Sequence, residues 1–262
     1  SSSAASDVYK RQSLSNFFRS QSHALYLATS VSLFHMVLSL THGGPVAVPD
    51  VSAYLSFAQW PYGALMPSDP AFFPGFGILL APFGWMSGSA LHTAALVLNS
   101  VAAGACVALT AQLAKSLGAS PKLATVAAVL AAVHPSISTS SRIAWPETLL
   151  AVVVLVICLT VDKHRWTLAG SVAGLAMVLH PRVIIIVLAT VMVATIKKQL
   201  IPFSKGLLPA LTLTALILQW TNSWPSSRIS AAQSIEIGPN PVIHKNEKPC
   251  LFIIPIERAF KL

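Results

Sequence analysis

Between the leading segment and residue 161 the chain carries only three carboxylates, Asp50, Asp69 and Glu147. A carboxylate can take the proton of an alcohol and so prepare it as a nucleophile. Two guanidinium groups, Arg142 and Arg182, interrupt an otherwise apolar background. Arginine is permanently charged and presents paired N–H donors that match phosphate oxygens. Three acids and two bases of these types suit a site that binds an anionic lipid head and activates a hydroxyl. Each residue also has a structural reading. Asp50 after Pro49 suits a helix cap, and Asp69 in Pro67-Ser68-Asp69-Pro70 suits a turn. Glu147 after Trp145-Pro146 suits the positive end of a helix dipole, and Arg182 suits a side chain snorkelling to lipid phosphates.

The elements that carry these residues are set by composition. The chain is 54% hydrophobic and 10% charged, with a mean hydropathy of +0.69. Soluble domains carry about 25% charged residues, so a soluble enzyme is excluded. Apolar stretches near the length needed to cross a bilayer as helix recur along the chain. The expected fold is an all-α, multi-pass transmembrane bundle. A net charge of +9 would suggest nucleic acid in a soluble protein. Here Lys and Arg gather in short loops, as the positive-inside rule requires. No basic patch with interleaved aromatics occurs, so nucleic acid is not an expected partner.

Charge sets the topology. Lys and Arg are absent between Arg19 and Lys115, so a first span over His23 to Thr41 delivers residues 42–88 to the outer face. Further spans are expected over Ser89 to Ala114, Leu123 to Thr139 and Pro146 to Val161. Residues 166–196 lie between two basic loops and therefore form a hairpin with Pro181-Arg182 at its outer tip, each arm short for a crossing. A last span covers Gly206 to Trp220. The count is about seven, with Lys115, Lys122, Lys163, Arg165, Lys197, Lys198 and Lys205 on the cytoplasmic side. The apolar stretch Phe72 to Met86, broken by Pro74, Pro82 and three glycines, suits a helix lying on the outer interface. Gly170 and Gly174 form a GxxxG, a close helix-packing face.

Under this topology Asp50, Asp69, Arg142, Glu147 and Arg182 all reach the outer face. His42, His92, His134 and His180 fall near outer span ends, without an HExxH or close pair, and no metal is expected. Cys106, Cys158 and Cys250 lack CxxC spacing. Walker A, GxGxxG and GxSxG patterns are absent. Residues 1–12 read as translated adapter sequence, with Val8-Tyr9-Lys10-Arg11-Gln12 as its mark. Residues 20–220 form the membrane module, and residues 221–262 read as a truncated outer polar segment of a longer chain.

The order of elements resembles the GT-C class of membrane glycosyltransferases that use polyprenyl-phosphate-linked sugars. These include the dolichyl- or polyprenyl-phosphate-mannose-dependent mannosyltransferases and the aminoarabinose transferase group. The matching features are a short first helix, Asp50 with Tyr54 in the first outer loop, and the stretch Phe72-Phe73-Pro74-Gly75-Phe76-Gly77. Trp145-Pro146-Glu147 then opens a span, and Ala169-Gly170-Ser171-Val172-Ala173-Gly174 leads to His180-Pro181-Arg182. Where many members carry two adjacent acids, this chain has Asp50-Val51.

The resemblance implies an enzyme of the cell membrane with its active site on the outer face and no cofactor. It implies Asp50 as catalytic base, Arg182 as the group holding donor phosphate, and Glu147 lining the site, with Arg142, Tyr54 and Asp69 beside them. Its partners would be a polyprenyl-phosphate sugar donor, a lipid, glycan or protein hydroxyl acceptor, and the bilayer. Two other classes fit the spans. A secondary transporter predicts polar residues at mid-membrane depth and paired halves, and no internal repeat is visible. A non-catalytic assembly subunit predicts that Asp50 and Arg182 are replaceable.

Overall fold

The computed structural model describes residues 23–41, 49–63 and 73–222, with the backbone alone for Pro49, Asp50 and Asn222. Contacts divide the chain into Ser1–Trp224 and Pro225–Leu262, and the described residues all belong to the first. Asp69 and His42 lie outside the described residues.

The described residues form helices and turns, with no strand among them. The helices are α1 (His23–Thr41), α2 (Pro49–Gln59), α3 (Gly75–Leu80), α4 (Gly88–Ser116), α5 (Pro121–Ala132), α6 (Pro135–Ser140), α7 (Glu147–Asp162), α8 (Trp166–Ala176), α9 (Val183–Ile196) and α10 (Leu200–Asn222). Single 3-10 turns extend α2 and α3. The chain is an all-α membrane protein. Helices α1, α4 and α10 are long and apolar enough to cross a bilayer. The other expected spans are helical where the sequence places them, and shorter than α1, α4 and α10. Helix α5 has 12 residues, α7 16, α8 11 and α9 14. The span expected to run on to Thr139 breaks at His134-Pro135, because a residue preceding proline is pushed out of helical geometry. His134 takes extended ψ and its Nδ1 accepts the Ser136 amide, capping the short α6.

Three helices finish alike on the basic side. After α4, α7 and α9 the chain turns through a left-handed residue, Gly118 (φ 89°), His164 (φ 54°) and Lys198 (φ 55°). In each case two backbone bonds close the last turn, such as Arg165 N to Thr160 O and His164 N to Val161 O. This closure satisfies carbonyls that a helix end leaves unpaired. Lys115, Lys163 and Lys197 beside it complement the negative end of the dipole.

Small residues fix how the long helices meet. Helix α1 crosses α4 at Gly104, where a Cβ would strike Ser32 and the Ala28 carbonyl. Helix α8 lies along α10 through Gly170 and Gly174 on one side and Gly206 on the other, with backbone against backbone. Thr214 Oγ1 donates to the Gly174 carbonyl at 2.9 Å across this seam. The GxxxG therefore does form a packing face, and Gly206 on α10 completes it. Contact positions rise together on both helices (Gly170 with Phe203 and Leu207, Gly174 with Ala210), so α8 and α10 run parallel. Both start beside basic loops, in agreement with the charge-based topology.

Helices α2 and α3 form a separate layer over the first half of α4. Val51, Tyr54, Ala58, Phe76, Leu80, Leu91 and Ala95 share one buried cluster. Ile78, Leu79, Phe83 and Trp85 stay exposed on this layer, the apolar surface expected of an element that lies in a membrane interface.

Candidate active site

Helix α7 starts where proline dictates. Pro146 stands at its N-cap and Glu147 opens its first turn. The chain before it is gripped from α4. Asn99, fully buried, donates from Nδ2 to the carbonyl of Ile143 at 2.7 Å and of Trp145 at 2.9 Å. Just upstream, buried Ser141 Oγ lies 3.1 Å from Nδ1 of His35 on α1. The turn carrying Arg142 is thus held by α1, α4 and α7 together, and Arg142 itself is exposed.

The α8–α9 hairpin brings the second charged residue. Helix α9 has 14 residues and α7 has 16, so they rise roughly 21 and 24 Å from the basic side at 1.5 Å per residue. Their N-terminal ends therefore lie at nearly the same level. Arg182 at the start of α9 places Nη1 3.8 Å from Oε1 of Glu147. The Arg182 side chain is 74% exposed and that of Glu147 31%. Arg182 and Glu147 thus stand together at the N-terminal ends of α9 and α7.

The α2–α3 layer closes on the same tip. The Gly75 amide donates to the Val178 carbonyl at 3.0 Å, and a Cβ on Gly75 would lie 2.7 Å from that carbonyl. The Phe73 and His180 rings stack at 6.3 Å. His180 Nδ1 accepts the Arg182 amide at 3.1 Å, fixing the tip on which Arg182 stands. Tyr54 faces inward, its ring edge-on to Phe76 at 5.4 Å, and joins α2 to α3. Tyr54 and Ala58 of α2 meet Gly77 and Gly84 of the α3 segment in that order, so the two run parallel. The backbone of Asp50 consequently lies at the end of this layer that also carries Phe73. Its side chain is outside the description.

Charge placement at the tip is unusual for stability. A cation at a helix N-terminus opposes the dipole by about 0.3–1 kcal/mol when exposed, yet Arg182 stands at the start of α9. Glu147 offsets part of that at 3.8 Å, beyond direct hydrogen-bond range. Two helix N-termini and a guanidinium therefore converge on one corner. Such a corner suits an anion with several oxygens, because amide dipoles and paired N–H donors both point to it.

Comparison with known families decides the class. A model of glycosyltransferase family 87, a GT-C-type family of membrane glycosyltransferases, matches residues 73–230, more than half of the 262-residue chain. The chain belongs to glycosyltransferase family 87. The match to family 87 includes Arg142, Glu147 and Arg182, whereas Asp50 and Tyr54 precede it. Searches of curated proteins and of solved structures give no match. The family membership makes the chain a membrane glycosyltransferase, for which a sugar donor, an acceptor and the bilayer are the general partners.

Asn99, His35, Phe73 and His180 were not among the site residues that sequence reasoning selected. The usable signals were Asn99, an amide within the apolar span that became α4, and His35, an imidazole within α1. A polar side chain in such a span usually bonds another helix. Among the described residues no three His, Cys, Asp or Glu gather as a metal site would require.

Proposed function

We propose that this family 87 member transfers a sugar from a polyprenyl-phosphate carrier to a hydroxyl acceptor at the outer face of the cell membrane. The observation that carries this reading is the Arg182–Glu147 pair at the convergence of the α7 and α9 N-termini. Arg182 binds the donor phosphate through its exposed guanidinium. Glu147 holds that guanidinium from the protein side, and Arg142 supplies further positive charge. In this reading Asp69 and Tyr54 belong to the acceptor side of the site.

The reaction is a single displacement. The acceptor oxygen forms a bond to the anomeric carbon while the bond from that carbon to the phosphate oxygen breaks. Its proton passes to the Asp50 carboxylate, and the phosphate leaves with the bonding pair. The anomeric centre inverts. Charge grows on the leaving phosphate, and donors already aimed there stabilise that charge more in a water-poor site than in bulk solvent. The chain of the carrier stays in the bilayer beside α9, whose exposed Ile184, Ile185, Leu188 and Met192 form an apolar flank.

The test uses membranes containing the chain and a panel of radiolabelled polyprenyl-phosphate hexoses and pentoses. Transfer from one donor, lowered about 10²–10⁴-fold by Asp50→Asn at equal expression, is the expected result. Undiminished transfer by Asp50→Asn would leave Asp50 as a first-turn carboxylate at the positive end of the α2 dipole. Transfer from nucleotide-linked sugars instead would overturn the carrier assignment.

A further inference from the structure

We infer that Asn99 is a positioning residue for the reaction. It sits on α4, places both its N–H donors on the segment before α7 rather than on the charged pair, and sets where α7 begins. The inference rests on the reading of Glu147 and Arg182 as site residues.

The argument starts from the backbone before α7. The first α7 amide bonded back to the preceding turn is that of Leu150, which donates to Pro146 O at 2.8 Å. The carbonyl of Trp145, one residue earlier, receives its bond from Asn99 at 2.9 Å. The carbonyl of Ile143 receives both the Trp145 amide at 2.7 Å and the second Asn99 N–H at 2.7 Å. One primary amide thus spends both donors on two carbonyls two residues apart. This fixes the orientation of the segment as well as its distance from α4. Pro146 then transmits that orientation, since its ring locks φ and Glu147 follows directly.

The surroundings show that this junction is not arranged for packing alone. Asn99 Oδ1, Trp145 Nε1, Glu147 Oε2 and Thr148 Oγ1 are all buried without a protein hydrogen-bond partner. Asn99 and Thr148 are fully buried, at 0% and 1% exposure. Buried polar atoms without partners cost stability, so native structures rarely collect them. Here four stand at the α4–α7 junction, on the residue that grips the turn and the residues that open the helix. An apolar residue at position 99 would remove one of them, yet it would release the turn.

Asn99 therefore acts on Glu147, and through Glu147 on Arg182. A misplacement of about 1 Å in a positioning network can cost roughly 10²-fold in rate. Asn99→Leu is expected to raise KM for polyprenyl-phosphate mannose about 3–30-fold with a smaller fall in kcat, the signature expected of losing the Glu147 anchor itself. Asn99→Asp, whose carboxyl when protonated donates one bond in place of two, should fall between. In a Glu147→Gln background the Asn99→Leu effect should shrink to under about threefold, because residues acting through one another are not additive. Equal fold-losses in both backgrounds would overturn the inference.

A readout independent of transfer uses the full chain with Cys106, Cys158 and Cys250 replaced by alanine. Maleimide labelling of a Glu147→Cys variant is expected to accelerate about tenfold on adding Asn99→Leu or Asn99→Asp, as exposure governs thiol reactivity. Labelling of an Arg142→Cys variant, already exposed, should hold within about twofold. An unchanged rate at position 147 in folded, monodisperse protein would overturn the inference even if no donor is transferred. Failure of wild-type transfer alone would count against the carrier assignment and leave the labelling result to decide on Asn99.

Discussion

At the residue scale, Arg182 and Glu147 are 35 positions apart in sequence and 3.8 Å apart at their charged atoms. Their types were legible, because charge is rare in this composition and expensive in a bilayer. Their pairing was not, since it depends on two helix lengths that hydropathy leaves open by several residues. Asp50 was legible by the same rarity, whereas the grip of Asn99 depends on which face of α4 meets the turn before α7. Glu147→Gln keeps the shape of the side chain and removes its charge. Arg182 would then lose its anchor, and a 3–30-fold rise in donor KM with a smaller fall in kcat is expected from steady-state kinetics. A KM unchanged by Glu147→Gln would mean that Arg182 is held by other groups.

At the element scale, every expected span is helical, but α5 ends before Thr139, and the chain turns again between α8 and α9 as the hairpin reading requires. Periodicity cannot detect this, because apolar turns on either side of a break look alike. Proline can, and His134-Pro135 and His180-Pro181 mark both places. The α8–α10 seam was half legible. The GxxxG on α8 was visible, but its partner Gly206 stands alone in sequence. A Cβ at Gly206 would strike the Thr167 carbonyl, backbone that cannot yield as a flexible side chain would. Gly206→Val should therefore lower stability by about 1–3 kcal/mol, read as a lower thermal midpoint in detergent. His164→Gly addresses another element. The left-handed conformation at φ 54° costs a non-glycine residue roughly 1 kcal/mol. A rise in midpoint of about 2–4 °C is expected from relieving it. No rise would mean that His164 makes a compensating contact.

At the scale of the whole molecule, the basic closures after α4, α7 and α9 lie on one side, and the Arg182–Glu147 corner faces the other. Parallel α8 and α10 and the matched heights of α7 and α9 agree with a topology derived from Lys and Arg alone. Cysteine labelling in oriented membranes checks it. A Ser138→Cys variant in the otherwise cysteine-free chain should react with a membrane-impermeant maleimide from outside, and a Ser116→Cys variant only after permeabilisation. Reversal of that pattern would place the corner in the cytoplasm and exclude an outer-face donor. The resemblance stated from element order and the family 87 match reach the same class by separate routes. The class was therefore readable from the arrangement of spans, while donor and acceptor depend on contacts that no pattern of hydropathy encodes.

The central claim is that the corner formed by Arg182 and Glu147 binds the phosphate of the sugar carrier. The most direct measurement is transfer from polyprenyl-phosphate sugars by wild-type, Arg182→Lys and Arg182→Ala proteins at matched expression. The account predicts a loss of about 10²–10³-fold in kcat/KM for Arg182→Ala. Arg182→Lys should recover part of it, because an ammonium keeps the charge and forfeits the paired geometry. Equal transfer by wild type and Arg182→Ala would contradict the claim and leave the pair a surface ion pair of little energetic weight.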